Sequence, residues 1–269
     1  MPGKPKVLVI IQARMSSSRL PGKVLLDIGG QPMLARVVER ARRAKTIDGV
    51  VVATTTDPAD DGVAAFCARR GYDCYRGSLH DVLDRFYQAA STFGADVIVR
   101  LTGDCPVIDP SLIDEAVYAF FGSHEISSQA WTAGFPYDFV ANRLPPPWRR
   151  TYPIGLDTEV CSFRVLQRAW KEAALPHQRE HVMPYLYEQE GRFRVLVLNH
   201  DPDYGDLRWT VDTPEDLEVI RRLYAHFGGR DDFSWLEVLD LFEHNPQLVQ
   251  MNRQVHHKDY REVDSQRNA

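Results

Sequence analysis

The sequence predicts an α/β protein with a mostly parallel central sheet and helices on both of its faces. Two patterns carry this. Apolar runs of strand length alternate with segments of helical period through roughly the first 120 residues. The first run, Val7 to Gln12, is almost continuously apolar and rich in β-branched residues, as a strand buried on both faces is. With 44% hydrophobic residues over 269 positions, the chain can bury the core of one large α/β domain.

Taken in order, the strand Val7–Gln12 leads into a polar, Gly- and Pro-bearing loop from Ala13 to Lys23. A helix follows from Pro32 to Ala44, with Met33, Leu34, Val37, Val38 and Ala41 at helical spacing. Val50–Thr54 is the second strand, and Asp60–Arg70 a helix closed by Gly71. Cys74 and Tyr75 begin a short third strand. His80–Phe93 is a helix stopped by Gly94, Val97–Leu101 the fourth strand, and Leu112–Phe121 the fourth helix. The rhythm breaks over residues 122–160, which hold Trp131, Phe135, Tyr137 and the stiff Pro145-Pro146-Pro147 run, so loops and short strands are expected there. Helices are then expected at 162–174 and 179–189, and strands at Phe193–Leu198 and Arg208–Val211. A helix starts at Pro214 behind an N-cap Thr213 and runs to Phe227, and a last one covers Trp235–His244. Residues 1–252 read as one domain, and 253–269 as a polar tail expected to fray from Gln254 onward.

A net charge of −5 is not the footprint of a nucleic-acid or membrane-surface protein. No apolar run approaches the ~20 residues of a membrane span, and nothing resembles a secretory signal. Cys67, Cys74, Cys105 and Cys161 form no CxxC pair, so reduced thiols in a cytoplasmic protein are expected.

In a parallel sheet, ligands bind beyond the carboxyl ends of the strands, which draws attention to two loops. The first, Gln12 to Lys23, holds Arg14, Arg19 and Lys23, three serines at 16–18, and Gly22. Guanidinium forks, an ammonium and free backbone N–H groups are what a polyphosphate needs. It is not a Walker A loop, because Val24 follows Gly22-Lys23 and Ser17 stands where the first glycine would be. The second loop places Asp104 after Thr102-Gly103, just past a strand end, where a carboxylate can hold Mg²⁺ or simply cap a turn. Asp212 stands between a strand and a helix N-terminus, while Glu215 and Asp216 read as helix-start residues stabilised by the dipole.

Together these pieces resemble a family. Gln12-Ala-Arg-Met-Ser-Ser-Ser-Arg-Leu-Pro-Gly-Lys23 is similar to the opening loop of the cytidylyltransferases that activate 3-deoxy-manno-octulosonate and sialic-acid-like sugars, nearest to the spore coat polysaccharide protein F branch. Arg76–Arg85, Leu101–Pro106, Gly155–Val160, Arg179–His181 and Arg208–Asp216 follow in the family's order. Where sugar-acid cytidylyltransferases often have Gln-Gly-Asp, this chain has Thr102-Gly103-Asp104.

The resemblance implies a Rossmann-like three-layer α/β/α nucleotidyltransferase fold and transfer of a nucleoside monophosphate from CTP to a sugar or sugar-acid, with release of pyrophosphate. It implies Arg14 and Lys23 on the triphosphate, and Asp104 and Asp212 on Mg²⁺. Gln12, Ala13, Ser16, Arg19, Arg76, Ser78, Thr102 and Gly103 would complete the nucleotide site. Asp157, Glu159, Arg179 and His181 would face the acceptor, and residues 122–160 would supply homodimer contacts and part of the acceptor pocket. The rivals are a nucleotide-sugar-dependent glycosyltransferase and a non-catalytic nucleotide-binding subunit.

Three other readings are weaker. His177 and His181 stand at i, i+4, but Gln178 occupies the place where a zinc protease needs glutamate. Cys105 has no evident base partner and reads as a small buried thiol. Trp131, Phe135 and Tyr137 read as packing or dimer surface.

Overall fold

The computed structural model describes residues 3–124, 126, 134–146, 148, 150–256 and 260–261. Its main sheet has seven strands: β1 (Val7–Gln12), β4 (Gly49–Thr55), β5 (Asp73–Gly77), β6 (Val97–Thr102), β7 (Phe139–Ala141), β8 (Glu159–Ser162) and β9 (Val195–Val197), in the order β5-β4-β1-β6-β8-β7-β9. Strands β5, β4, β1 and β6 are parallel, β8 is antiparallel to both β6 and β7, and β7 is parallel to β9. A two-stranded ribbon, β2 (Asp27–Ile28) and β3 (Gln31–Pro32), stands apart.

Side chains along β1 alternate between two cores. Val7, Val9 and Ile11 point to one, with helices α1 (Met33–Ala41), α2 (Asp61–Arg70) and α4 (Pro110–Phe121). Leu8 and Ile10 point to the other, with α3 (Val82–Thr92) and α5 (Phe163–Glu172). A period-2 strand buried on both sides yields this three-layer sandwich, the α/β/α fold expected. Residues 122–160 do contain short strands, and these join the main sheet as β7 and the start of β8. Phe135 packs on Phe120 and Phe121, so it serves the core; Trp131 lies outside the described residues.

Three expectations need correction. The helix at 179–189 is two short ones, α6 (Pro176–His181) and α7 (Pro184–Tyr187). The chain breaks at Val182, whose φ is +71°, and Pro184 then opens the second helix at a position where its missing N–H costs no bond. Arg208–Val211 is not a strand but makes one isolated parallel bridge, Ile154 with Arg208, outside the named strands. It leads into α8 (Pro214–His226), followed by α9 (Trp235–His244) and α10 (Pro246–Met251), the last unforeseen. Two described parts of the tail are tied down. Arg19 donates to the His256 carbonyl at 3.2 Å, and Tyr260 is 8% exposed, with its hydroxyl donating to Glu188 at 3.0 Å. A large ring with a polar tip gains by burial when the tip finds an acceptor.

Candidate active site

The carboxyl ends of β1 and β6 lie side by side, with Gln12 opposite Thr102. Gly103 N–H donates to the Gln12 carbonyl at 2.8 Å, and a Cβ at Gly103 would stand 2.9 Å from that oxygen, so only glycine permits this approach. Asp104 follows. Its main-chain carbonyl accepts from Val211 N–H at 2.9 Å and from the Thr210 hydroxyl at 3.0 Å. The 207–210 segment is hooked in turn onto Ile154, through bonds of 2.8 and 2.7 Å. Backbone bonds thus bring Asp212 beside Asp104, although the two are far apart in sequence.

The Ala13–Lys23 loop is pinned at its start by Asp60, which is buried. One Asp60 oxygen accepts from Met15 N–H at 2.6 Å, and the other accepts from the Thr55 hydroxyl. The loop closes through Gly22, whose φ of +73° favours glycine and whose N–H donates to the Met15 carbonyl at 2.8 Å. This turn delivers Lys23 into the interior, 8% exposed. Its ammonium donates to Asp104 Oδ2 at 2.7 Å, Asp212 Oδ1 at 2.9 Å and the Val211 carbonyl at 2.8 Å. Burial alone would lower the Lys23 pKa, but the two carboxylates outweigh it and raise it above the ordinary lysine value.

Asp212 is gripped further by Arg19 at 2.9 Å and Arg208 at 2.8 Å. Burial works to raise its carboxyl; Lys23, Arg19 and Arg208 overcome that and hold it well below the usual carboxylate range. Behind it lies the fully buried Asp216. Its carboxylate accepts from Arg208 at 2.9 and 3.0 Å, Asn252 at 2.9 Å, and the N–H groups of Asp212 and Thr213 at 2.9 and 3.1 Å. Asp216 has the helix-start role expected of it, in a capping box with Thr213. It also fixes the backbone of Asp212 and the guanidinium of Arg208, a role that its place in the sequence does not show.

These groups open on a cavity of 540 Å³. Of the residues expected at the nucleotide and metal sites, Gln12, Ala13, Arg14, Ser16, Arg19, Lys23, Thr102, Gly103, Asp104 and Asp212 all line it. Arg14 is partly exposed and pairs with Glu180 at 3.2 Å. Two expected residues do not line it. Arg76 spends its guanidinium on the carbonyls of Thr55 and Asp57 and on Asp61, and Ser78 caps the N–H groups of His80 and Asp81. Arg85, quoted within the same motif but given no role, does line it. It is 1% exposed, its Nε has no hydrogen-bond partner, and burial and Arg14 pull its pKa down to about 10.

A second cavity, of 370 Å³, shares His181 with the first. Glu159 lines it but is buried against Arg100, to which Gln12 is also bonded. Asp157 lines neither cavity, since Arg143 at 3.2 Å and Arg150 at 2.9 Å hold it, and these two arginines form the wall. Arg179 also lies off both walls, clamped to Asp81 at 3.0 Å and to the Trp170 carbonyl at 2.6 Å. His181 keeps a buried Nε2 without a hydrogen-bond partner. Burial, with Arg100 and Arg143 nearby, lowers its pKa to about 4. Burial pushes the Cys105 thiol up, which suits an inert core residue rather than a nucleophile.

A cation-rich loop facing two carboxylates, at the carboxyl edge of a mainly parallel sheet, defines an α/β protein equipped for an anionic, polyphosphate-like ligand. Comparison with known proteins narrows this. The sequence model of the cytidylyltransferases matches residues 8–243, and the chain belongs to that family. It is 36% identical to the spore coat polysaccharide biosynthesis protein SpsF of Bacillus subtilis, over 89% of this chain and 95% of that one. It is 41% identical to the 3-deoxy-manno-octulosonate cytidylyltransferase of Anaeromyxobacter sp. (strain Fw109-5), over 82% and 97%. A solved cytidylyltransferase from Leptospira borgpetersenii superposes with a TM-score of 0.82 at 33% identity, covering 94% of this chain and all of that one. The protein is therefore a nucleotidyltransferase. Among the described residues no helix is long and apolar enough to cross a membrane.

Proposed function

We propose that this enzyme transfers CMP from CTP to a sugar or sugar-acid and releases pyrophosphate, with Mg²⁺ as its cofactor. The observation that carries the reading is the convergence of Asp104 and Asp212 on one cation at the edge of a cavity walled by Arg14, Ser16 and Arg19. The cytidylyltransferase of Anaeromyxobacter, by its name, uses 3-deoxy-manno-octulosonate, which supports the sugar-acid class for the acceptor.

The donor set suits a hard divalent ion. Two carboxylate oxygens and the Val211 carbonyl already surround the positive Lys23 nitrogen at 2.7–2.9 Å, and Mg²⁺ takes few protein carboxylates because substrate phosphates complete its shell. Asp104 and Asp212 would hold it. Bound there, it would supply charge neutralisation at the α-phosphate. The chain's own groups supply the rest. An acceptor hydroxyl, giving its proton to solvent in the cavity, bonds to the α-phosphorus as the bond from that phosphorus to the bridging oxygen breaks, and Arg14 and Lys23 stabilise the charge on the departing pyrophosphate. His181 lines both cavities and is neutral near pH 7, so its ring faces the acceptor without a charge. Positioning and electrostatics are the protein's contribution in such a transfer.

The test is pyrophosphate release from CTP, UTP, ATP and GTP with Mg²⁺, each against a panel of sugars and sugar-acids that includes 3-deoxy-manno-octulosonate. Release from CTP that depends on a sugar or sugar-acid is expected. Release that favours another nucleotide, or transfer only from nucleotide-sugars without pyrophosphate, contradicts the proposal.

A further inference from the structure

The Lys23 ammonium has three N–H bonds, and all three are used, on Asp104, Val211 and Asp212. As placed, it has none left for a phosphate. The charges around it also balance. Lys23, Arg19 and Arg208 are three cations, and Asp104, Asp212 and Asp216 are three carboxylates. A divalent ion added alone would crowd Lys23 within a few ångströms and leave the cluster with two surplus positive charges at a partly buried place. A divalent ion that arrives with a polyphosphate brings its own counter-charge and gives the displaced ammonium an anion to grip.

We propose that Lys23 is the resident counter-ion of the metal site: its ammonium stands between Asp104 and Asp212 until a metal–nucleotide complex takes its place, and it then moves onto the phosphates. The proposal rests on reading the two aspartates as metal ligands. Divalent metal alone then binds poorly, and metal and nucleotide enter as a unit. The surrounding hydrogen bonds suit an exchange of one cation for another. Asp212 stays in register through its N–H on Asp216 and its carboxylate on Arg208, and Asp104 through the Val211 and Thr210 bonds to its carbonyl. The carboxylates therefore need not be rebuilt when Lys23 leaves.

The experiment is a Mn²⁺ titration of the full chain without nucleotide, reading free Mn²⁺ by its electron paramagnetic resonance signal. Lys23→Met is expected to bind Mn²⁺ at least about tenfold more tightly than wild type, a difference of roughly 1.4 kcal/mol. Lys23→Gln is measured beside it, as a variant that can still hydrogen-bond the carboxylates. If neither variant folds, wild type decides: weak, millimolar binding of Mn²⁺ upholds the proposal, and micromolar binding overturns it. A folded variant with wild-type or weaker affinity also overturns it. Asp104→Asn, added to Lys23→Met, separates the two readings. If it abolishes the bound Mn²⁺, the aspartates are the metal site whatever Lys23 does. If it changes nothing, the metal assignment and the counter-ion role fall together.

Discussion

Asp104 and Asp212 share a cation but not a surrounding. Asp212 is held from three sides by Lys23, Arg19 and Arg208, whereas Asp104 meets Lys23 and, weakly, the Cys105 thiol at 3.7 Å. Removing either charge is expected to lower kcat at least about a hundredfold, the scale on which a preorganised electrostatic group acts. The two changes should differ in stability. Asp212→Asn leaves two arginines short of a partner and should cost about 1–3 kcal/mol, while Asp104→Asn should stay within about 1 kcal/mol of wild type. Pyrophosphate release and urea unfolding of both variants check this; near wild-type turnover in either would remove that aspartate from the proposed metal site. Both aspartates were legible in the sequence because each follows directly on a segment that ends at the sheet's carboxyl edge. Their partners were harder to see. That Arg208 rather than a solvent ion neutralises Asp212, or that Asp157 is consumed by Arg143 and Arg150, depends on chain crossings that residue types in one segment do not encode.

At the scale of elements, the start of α8 shows how a structural motif serves a site. Thr213 and Asp216 form a capping box, which the sequence announces, and the same Asp216 carboxylate receives Arg208 and Asn252 from outside the helix. A buried carboxylate with five donors is costly to alter, because the guanidinium it neutralises stays buried. Asp216→Ala should therefore destabilise the fold by about 3–5 kcal/mol and lower kcat as Asp212 loses its register. If unfolding shows less than about 1 kcal/mol lost, water or another group must neutralise Arg208, and the network does not hold Asp212. Elements with strong local signals were readable: β1 from its continuous apolar run, α2 from its closing glycine, α8 from its cap. Those fixed by neighbours were not. The Arg208–Val211 stretch has strand composition but makes a single bridge, to Ile154, outside the named strands, and α6 and α7 are parted at Val182, whose φ of +71° no local residue pattern announces.

For the whole molecule, the sharpest consequence is how stability changes with pH, and it follows from where the two cavities meet. His181 sits there with burial as the main reason for its pKa of about 4, and Arg100 and Arg143 add to the shift. In the unfolded chain the same imidazole titrates near the ordinary value of about 6.5. Above that value neither state binds the proton, and His181 contributes no pH dependence. As pH falls from about 6.5 towards about 4, the unfolded chain takes up a proton that the folded chain refuses, so stability is lost, up to about 3 kcal/mol once pH is below both values. Two shifts at the candidate site act elsewhere on the pH scale. Asp212 is depressed, so its contribution stands above the unfolded carboxylate range of about 4 and is lost only below it. Lys23 is raised, so its contribution is present at lower pH and lost only in strong alkali. Urea midpoints at about pH 7.5 and about pH 5 should therefore differ by an amount that His181→Gln largely removes, since glutamine carries no proton to be refused. If the variant kept the full pH dependence, His181 would have to be protonated in the folded protein at mildly acid pH. That would mean that water or an anion reaches its Nε2, and that the junction is wetter and more polar than its packing against Tyr260 implies.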